Sequence, residues 1–149
     1  MTNSINKITA IDELSQAIYS LTAADGRLRG RATRTLGAVS MVHARTLKVL
    51  AEEGELSVKE LADQAETTAA GITQLINGLQ QAGYVERVRS NNDRRVVKVR
   101  LTPSGLNCHL EREEKLKHIL NANLSDFDAE QIEKSSEIIR CLVHVLDQL

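Results

Sequence analysis

The stretch of sequence that is most informative about the fold, residues 57–101, reads SVKELADQAETTAAGITQLINGLQQAGYVERVRSNNDRRVVKVRL. Ser57 and Glu60 have the spacing of a capping box, so they predict the start of a short helix that ends at Ala65. A second helix is predicted from Thr68 to Ala82, because its apolar residues recur at helical spacing on one face. Those residues are Ile72, Leu75, Ile76 and Leu79. Two short helices separated by a tight turn predict a helix-turn-helix.

After this pair of helices, the apolar period changes from helical to alternating. Gly83 suits the end of a helix, and Val85–Arg89 and Val97–Leu101 are then predicted as strands. The polar residues Ser90–Arg95 between them favour a turn, so the two strands are expected to form a hairpin. A hairpin in this position is a wing, and the whole stretch therefore predicts a winged helix-turn-helix.

Further helices are predicted on both sides of this unit. One runs from about Thr9 to Arg34, and a shorter one follows from His43 to Glu53. Thr102 caps a helix that continues to about Asn123, and a capping-box pattern at Asp128 begins the last helix. The first and last helices each carry an apolar stripe, formed by Ile11, Leu14, Ile18, Leu21 and Leu28, and by Ile132, Ile139, Leu142, Val143, Leu146 and Leu149.

The expected fold class is mainly α with a small β-hairpin wing. We expect residues 37–102 to form a winged helix-turn-helix DNA-binding domain and residues 1–36 and 103–149 to form a helical dimerisation region. A single helix cannot bury its own apolar stripe, so the terminal helices are expected to pack against each other and against a second copy of the chain. The predicted assembly is therefore a homodimer.

The composition argues against several other classes of protein. No stretch approaches the roughly 18 continuous apolar residues of a membrane span, and residues 1–10 lack a signal-peptide pattern, so we expect a cytoplasmic location and no membrane contact. Cys108 and Cys141 lie far apart without metal-ligand spacing, which favours reduced thiols over a redox switch. The four histidines lack partners at zinc-like spacing, and no phosphate loop or nucleophile elbow is present. We expect no metal, no cofactor and no enzymatic activity.

Charge is distributed unevenly along the chain, although the net charge is only −1. Residues 25–48 hold six Arg and Lys against one acid (+5), and residues 84–102 hold six against two (+4). The second group crowds the hairpin with Arg87, Arg89, Arg94, Arg95, Lys98 and Arg100. Like charges on one small sheet repel, whereas binding to phosphates would neutralise them. The hairpin therefore indicates binding to double-stranded DNA.

The exposed face of the second helix of the pair is the predicted base-reading surface. Its candidate DNA contacts are Thr68, Ala69, Gly71, Thr73, Gln74 and Asn77. Gln and Asn can bond adenine edges, Thr can bond bases or phosphates, and methyl groups can contact thymine. An ordinary solvated helix face is the alternative interpretation. On the wing, the candidates are Arg89, Asp93, Arg94 and Arg95, with Asp93 close enough in sequence to orient the Arg95 guanidinium.

Several motifs together resemble a known family. They are Leu61-Ala62-Asp63, Ile72-Thr73-Gln74-Leu75-Ile76 with Leu79, Gly83-Tyr84-Val85, and Asp93-Arg94-Arg95 leading through a β segment to Leu101-Thr102-Pro103-Ser104-Gly105. This pattern resembles the multiple antibiotic resistance regulator (MarR) family, and the layout of flanking helices extends the resemblance over nearly the whole chain. The resemblance implies a dimeric repressor on a pseudo-palindromic operator, with Arg95 entering the minor groove and Asp93 orienting it.

The resemblance also implies a small effector, often aromatic or anionic, that binds between the dimer helices and the winged domain. Residues expected to line that cleft are Tyr19, Met41, His43, His109 and Arg112, although each also suits a packing or surface role. Two departures from the family pattern concern DNA affinity: many members carry Arg where this chain has Gln74 and Gly78. The helix near His43 also lacks the family's usual Thr and Gln. Affinity is therefore expected to depend on the wing and on residues 25–48.

Two other functions are compatible with the sequence. A winged-helix dimer with weak or no DNA binding could act as a protein-interaction module, which the uncharged segment 67–83 favours and the Asp93/Arg95 wing opposes. An enzyme that uses Cys108 and a histidine ranks third.

Overall fold

The computed structural model describes residues 2–34 and 39–149, and within these ranges it contains six helices and three strands. They are α1 (Thr2–Arg34), α2 (Met41–Glu53), β1 (Leu56–Ser57), α3 (Val58–Gln64), α4 (Ala69–Gln81), β2 (Val85–Arg89), β3 (Val97–Leu101), α5 (Pro103–Asn123) and α6 (Ala129–Leu146). The mainly helical fold class with a β wing is confirmed. The chain divides into two compact units, Met1–Leu110 and Glu111–Leu149.

The helix-turn-helix forms from α3 and α4, and both helices begin at the predicted caps. The Glu60 amide donates to Ser57 Oγ at 3.2 Å, and the Ser57 amide donates to Glu60 Oε2 at 2.9 Å, which completes the capping box. Thr68 caps α4 by accepting a 3.0 Å hydrogen bond from the Gly71 amide. The turn between the helices includes Glu66 at φ +53°, a left-handed conformation that is uncommon for a residue other than glycine.

The hydrophobic core lies beneath these helices and continues under the sheet. It is built from buried aliphatic side chains, chiefly Leu47, Leu50, Leu61, Ile72, Ile76, Leu79, Val85 and Val99. Of the four residues predicted to form the apolar face of α4, only Leu75 remains half-buried. Helical spacing therefore identified the buried face of α4 correctly, and it fixes which face of that helix is left for a partner.

The end of α4 has the hydrogen bonds of a Schellman motif. The Gly83 amide donates to the Gln80 carbonyl at 3.0 Å, and the Tyr84 amide donates to the Leu79 carbonyl at 2.9 Å. Gly83 has φ +80°, which an L side chain rarely adopts, so the predicted role of this glycine at the helix end is confirmed. The motif turns the chain directly from the helix into β2.

The wing hairpin, formed by β2 and β3, belongs to a three-stranded antiparallel sheet in the order β1-β3-β2. The predicted hairpin is confirmed with the predicted strand bounds, but the sequence analysis did not identify β1. This third strand has two residues, which pair as Leu56 with Val99 and Ser57 with Lys98. Ser57 therefore belongs to the sheet while its side chain caps α3.

The start of α5 is held tightly against the base of the wing. Thr102 donates through its backbone amide to the Tyr84 carbonyl at 3.0 Å and through its hydroxyl to the Gly83 carbonyl at 2.6 Å. The same hydroxyl accepts from the Gly105 amide at 3.0 Å, so the predicted cap of α5 is confirmed. A Cβ atom at Gly105 would lie 1.9 Å from the Tyr84 carbonyl oxygen, and only glycine permits this approach.

The flanking helices are present, with two corrections to their bounds. The first helix begins at Thr2 instead of Thr9, and α2 begins at Met41, capped by Ser40, instead of His43. For α2, the cap at Ser40 places the start earlier than the apolar spacing suggested. The predicted domain boundary at residues 36 and 37 lies outside the described residues, and the grouping of residues 1–36 with 103–149 stays a prediction.

The apolar stripes of α1 and α6 are largely exposed on the single chain. Ile11 on α1 and Ile139 on α6 are both 57% exposed. The cap of α6 is a full capping box between Asp128 and Gln131, as predicted. No helix in the described ranges is long and apolar enough to cross a membrane.

Candidate nucleic-acid interface

The predicted base-reading residues lie on α4 and at its N-terminal cap, and they differ in exposure and in hydrogen bonding. Thr73 donates its hydroxyl to the Ala69 carbonyl at 3.0 Å, and the hydroxyl of Thr68 serves as the helix cap. Gly71 is half-buried, and a Cβ atom at this position would lie 3.0 Å from the hydroxyl oxygens of both Thr67 and Thr68. Gln74 is exposed, and within the described part of the chain its side chain makes no hydrogen bond. Gln74 is therefore the most available polar group on this face.

Arg87 links the wing to α4, a role that the sequence analysis missed. Its Nη2 atom donates to Asn77 Oδ1 at 2.7 Å, and its Nη1 atom donates to Gln80 Oε1. In β2 the side chains alternate between faces, so Arg87 lies on the same side of the sheet as the buried Val85. That side packs toward α4. The two-residue period of a strand, which places Arg87 on the same face as Val85, was the available signal for this role.

The wing tip is shaped by hydrogen bonds to the backbone. The Arg95 amide donates to Asp93 Oδ1 at 3.0 Å, and the Val96 amide donates to the Asp93 carbonyl at 3.0 Å. Asp93 was expected to orient the Arg95 guanidinium, whereas its carboxylate here binds the main chain. Arg89 donates to the Arg94 carbonyl at 3.4 Å. The side chains of Arg94 and Arg95 are exposed, and neither forms an ion pair with another described residue.

The basic side chains of the hairpin are not all equally available to bind DNA, and Arg100 is the exception. Its Nε atom lies 2.6 Å from Glu86 Oε1, and its Nη1 atom lies 3.3 Å from Glu55 Oε1. These contacts, with Glu86 first, raise the pKa of the Arg100 guanidinium above its ordinary value. Glu86 and Arg100 are directly opposite in the β2–β3 register. The charge of Arg100 is therefore largely compensated within the protein, and the available cations concentrate at the wing tip.

A cavity of about 490 Å³ opens beside α4 within the first unit. It is lined by Arg29, Ser40, Val42, His43, Thr67, Gly71, Gln74 and Leu75. His43 Nδ1 lies 2.7 Å from Ser40 Oγ, so that ring nitrogen is held by the cap of α2. Gln74 belongs both to this cavity and to the exposed face of α4. A molecule bound here would contact the predicted reading helix directly.

The residues predicted for an effector cleft are not all brought together here. His43 lines the cavity, whereas Tyr19 and Met41 are exposed on α1 and α2 and are not among its described lining residues. His109 and Arg112 lie half-buried on α5. Arg29 of α1 is a lining residue that the sequence analysis did not select. Helical spacing alone cannot show which side chains line a cavity, because that depends on how the helices pack against one another.

The first unit combines a helix-turn-helix, a wing with exposed arginines at its tip and a polar outer face on α4. These features define a winged helix-turn-helix protein of the DNA-binding class. A model of the MarR family matches residues 39–96, which contain the helix-turn-helix and much of the wing. Over this segment the chain is similar to the MarR family of transcriptional regulators.

Relatives and solved structures support this assignment. The HTH-type transcriptional regulator SarZ of Staphylococcus haemolyticus is 30% identical over 100 residues, which cover 67% of this chain and 65% of SarZ. This chain therefore spans slightly less than two thirds of that relative. The structure of a MarR family protein from Bacillus stearothermophilus is similar with a TM-score of 0.64 and 27% identity, covering 93% of this chain and 96% of that one. Streptococcus pneumoniae FabT in complex with DNA shares the fold at a TM-score of 0.66 and 22% identity, covering 91% of this chain and 98% of FabT.

Proposed function

We propose that the protein is a dimeric, sequence-specific repressor that binds a pseudo-palindromic operator in the cytoplasm. The observation that carries this proposal is the pairing of two exposed surfaces in one unit: the polar outer face of α4 and the arginine-bearing wing tip. A helix with Gln74 at its surface suits the major groove, where base edges can be distinguished. Arg94 and Arg95 suit phosphates or the adjacent minor groove.

The alternative of a protein-interaction module is less well supported. The uncharged segment 67–83 favours it, but Arg94 and Arg95 are exposed on a tip whose turn is held by Asp93. A protein-interaction role needs no such concentration of cations, whereas a polyanion accounts for it through release of counterions. FabT, which shares the fold, has a structure in complex with DNA. The repressor proposal therefore explains more of the described features.

Selection of bound fragments from genomic DNA tests this proposal directly. We expect the wild-type protein to enrich fragments that share an inverted repeat, with half-sites about one helical turn apart. A variant in which Arg94 and Arg95 are both changed to Gln should lose most of that enrichment. Failure of the wild type to enrich any sequence over random fragments would favour the interaction-module alternative.

We propose that the apolar stripes of α1 and α6 form the dimer interface. The exposed stripes include Ile11, Leu21, Ile139 and Val143, and soluble monomers rarely expose large continuous apolar patches. Light scattering should give the mass of a dimer for the wild type. Leu146→Glu on the stripe should weaken the dimer, whereas Cys141→Glu, at an exposed position on the opposite side of α6, should leave it intact. A monomeric wild type would contradict the interface.

We further propose that a small aromatic or anionic effector binds in the cavity beside α4 and weakens DNA binding. The volume of about 490 Å³ suits a small molecule. Arg29 pairs through Nε with Asp25 at 3.1 Å, so its Nη atoms, together with the ring of His43, are the groups proposed to contact a carboxylate. Titration of the DNA complex with benzoate, and with acetate as a non-aromatic control, tests the proposal. Release should depend on Arg29, so Arg29→Gln should respond less than Arg31→Gln, which changes an exposed arginine on the same helix. Equal responses would place the effector elsewhere.

A further inference from the structure

Arg87 controls the orientation of the Asn77 amide on α4. A guanidinium offers only donors, so the amide oxygen of Asn77 must face it, and the geometry agrees with Nη2 lying 2.7 Å from Oδ1. Gln80 is held in the same way by the Nη1 atom of Arg87. The NH2 groups of both amides are consequently turned away from the guanidinium. This assignment of oxygen and nitrogen follows from chemistry, because the opposite orientation would set donors against donors.

Asn77 lies on the exposed side of α4, away from the hydrophobic core. With about 100° between successive residues, Asn77 lies roughly 130° around the helix from the centre of the buried face formed by Ile72, Ile76 and Leu79. It is exposed, and it lies one turn after Thr73 and close to Gln74 on the helix surface. A helix that inserts this face into the major groove brings Asn77 to a base edge. Its accessible hydrogen-bonding atom is then the amide nitrogen.

A free asparagine reads adenine with two hydrogen bonds, in which its oxygen accepts from N6 and its nitrogen donates to N7. The Asn77 oxygen is engaged by Arg87 and turned toward the wing, so this bidentate contact is disfavoured. A donor-only side chain instead suits O6 and N7 of guanine and O4 of thymine; adenine also has the N7 acceptor, but its N6 donor lies beside it and opposes a second donor. Cytosine offers only a donor there and would be rejected.

We infer that Arg87 is a positioning residue that makes Asn77 a donor-only contact, so that each half-site of the operator has one position that favours guanine or thymine and disfavours cytosine. This inference rests on the proposed function, in which α4 reads base edges. It also assigns a specificity role to a wing arginine that does not itself touch a base. The Arg87 side chain acts through the amide that it holds.

Selection from a randomised duplex library, followed by sequencing, measures base preference at every position. The wild type should show discrimination against cytosine of roughly 2- to 12-fold at one position of each half-site, the range for a single net hydrogen bond. Asn77→Ala should abolish that preference and leave the other positions unchanged. Asn77→Asp keeps an oxygen for Arg87 but presents an acceptor outward, so the preference should shift toward cytosine. Asn121→Ala, the same substitution at an exposed position on α5, is the matched control and should resemble the wild type.

The role of Arg87 is tested separately from that of Asn77. Arg87→Met removes the donors, so the amide can rotate and the preference for adenine should increase at the same position. Arg87→Lys keeps a cationic donor group without the two-pronged guanidinium and should retain part of the wild-type preference. Circular dichroism establishes that each variant is folded. An unchanged preference in both Asn77 variants, while the wild type enriches a defined operator, would overturn this inference alone. Absence of any enriched sequence for the wild type would overturn the proposed function as well.

Discussion

Asp93 and Arg95 are joined through the main chain: the Arg95 amide donates a 3.0 Å hydrogen bond to Asp93 Oδ1. The acid therefore shapes the turn of the wing tip, and its side-chain oxygen matters more than its negative charge. Asp93→Asn keeps that oxygen and removes a charge that would repel phosphate. We expect Asp93→Asn to bind operator DNA at least as tightly as the wild type. Asp93→Ala should bind more weakly, by about 0.5–1.5 kcal/mol.

Fluorescence anisotropy with a labelled operator measures these affinities, and Arg95→Ala sets the scale. If Arg95 enters the minor groove, its removal should cost about 1–3 kcal/mol of binding free energy. A loss in Asp93→Asn as large as that in Asp93→Ala would show that the charge on the carboxylate, rather than its bond to the backbone, is what the wing requires.

The ion pairs of Arg100 predict that the arginines of the wing are not equivalent. Arg100 already contacts Glu86 and Glu55, whereas Arg94 is exposed without an ion pair to another described residue. Arg94→Gln should reduce the dependence of log K on log salt by about one counterion. Arg100→Gln, the matched substitution, should leave that slope close to the wild-type value. Binding curves at several salt concentrations compare the two, and equal losses of slope would mean that Arg100 leaves its partners to contact phosphate.

Adding cations to α4 should strengthen binding without regard to sequence. Gln74 is exposed, and a Cβ atom at Gly78 would be in ordinary contact with His43 Nε2 at 3.7 Å, so a side chain can be introduced at Gly78 without a clash at its Cβ atom. Gln74→Arg and Gly78→Arg should raise affinity for random DNA and steepen the salt slope by about one for each new phosphate contact. Gly26→Arg on α1 adds the same charge in open space and serves as the control. The same gain in the control would reveal a general effect of net charge.

The contact between Gly105 and Tyr84 predicts a large loss of stability on a minimal substitution. A Cβ atom at Gly105 would lie 1.9 Å from the Tyr84 carbonyl oxygen, so the backbone of α5 or of the wing must shift. Gly105→Ala should lower the free energy of unfolding by roughly 1–3 kcal/mol, the usual range for overpacking. Gly26→Ala, with no atom within 4 Å, should instead gain about 0.5–1 kcal/mol from its higher helix propensity. Denaturant unfolding at one protein concentration checks both, and a neutral Gly105→Ala would mean that the contact relaxes freely.

Much of the fold could be predicted because its boundaries are marked by local signals. The capping box at Ser57 and the helix end at Gly83 each involve six residues or fewer, so the sequence alone is enough to locate them. The strand β1 escaped prediction because two residues have no detectable period. Its existence depends on Leu56 and Ser57 meeting Val99 and Lys98, which are distant in sequence.

The candidate site was predictable in its residue types and less so in its contacts. The exposed residues of α4 followed from helical spacing, since the buried face was identified correctly. The contacts of Arg87 and Arg100 could not be predicted from the sequence, because they depend on which strand residues lie opposite one another. Glu86 faces Arg100 only in the observed register, and a slip of one residue would have placed it against another neighbour. Charge counts along the chain cannot distinguish a compensated arginine from an available one.

Ser57 determines which segment of this protein could be exchanged for the corresponding segment of a relative. The residue is a strand partner of Lys98 and the cap of α3 at once, so the hairpin is not a separable module that begins at Val85. A chimaera that imports only residues 85–101 would place a foreign side chain beside the host's Ser57. Its sheet would then lack the β1 strand that matches the imported hairpin. Recombination that preserves function should therefore break the chain before Leu56, so that the helix-turn-helix and the wing are inherited together.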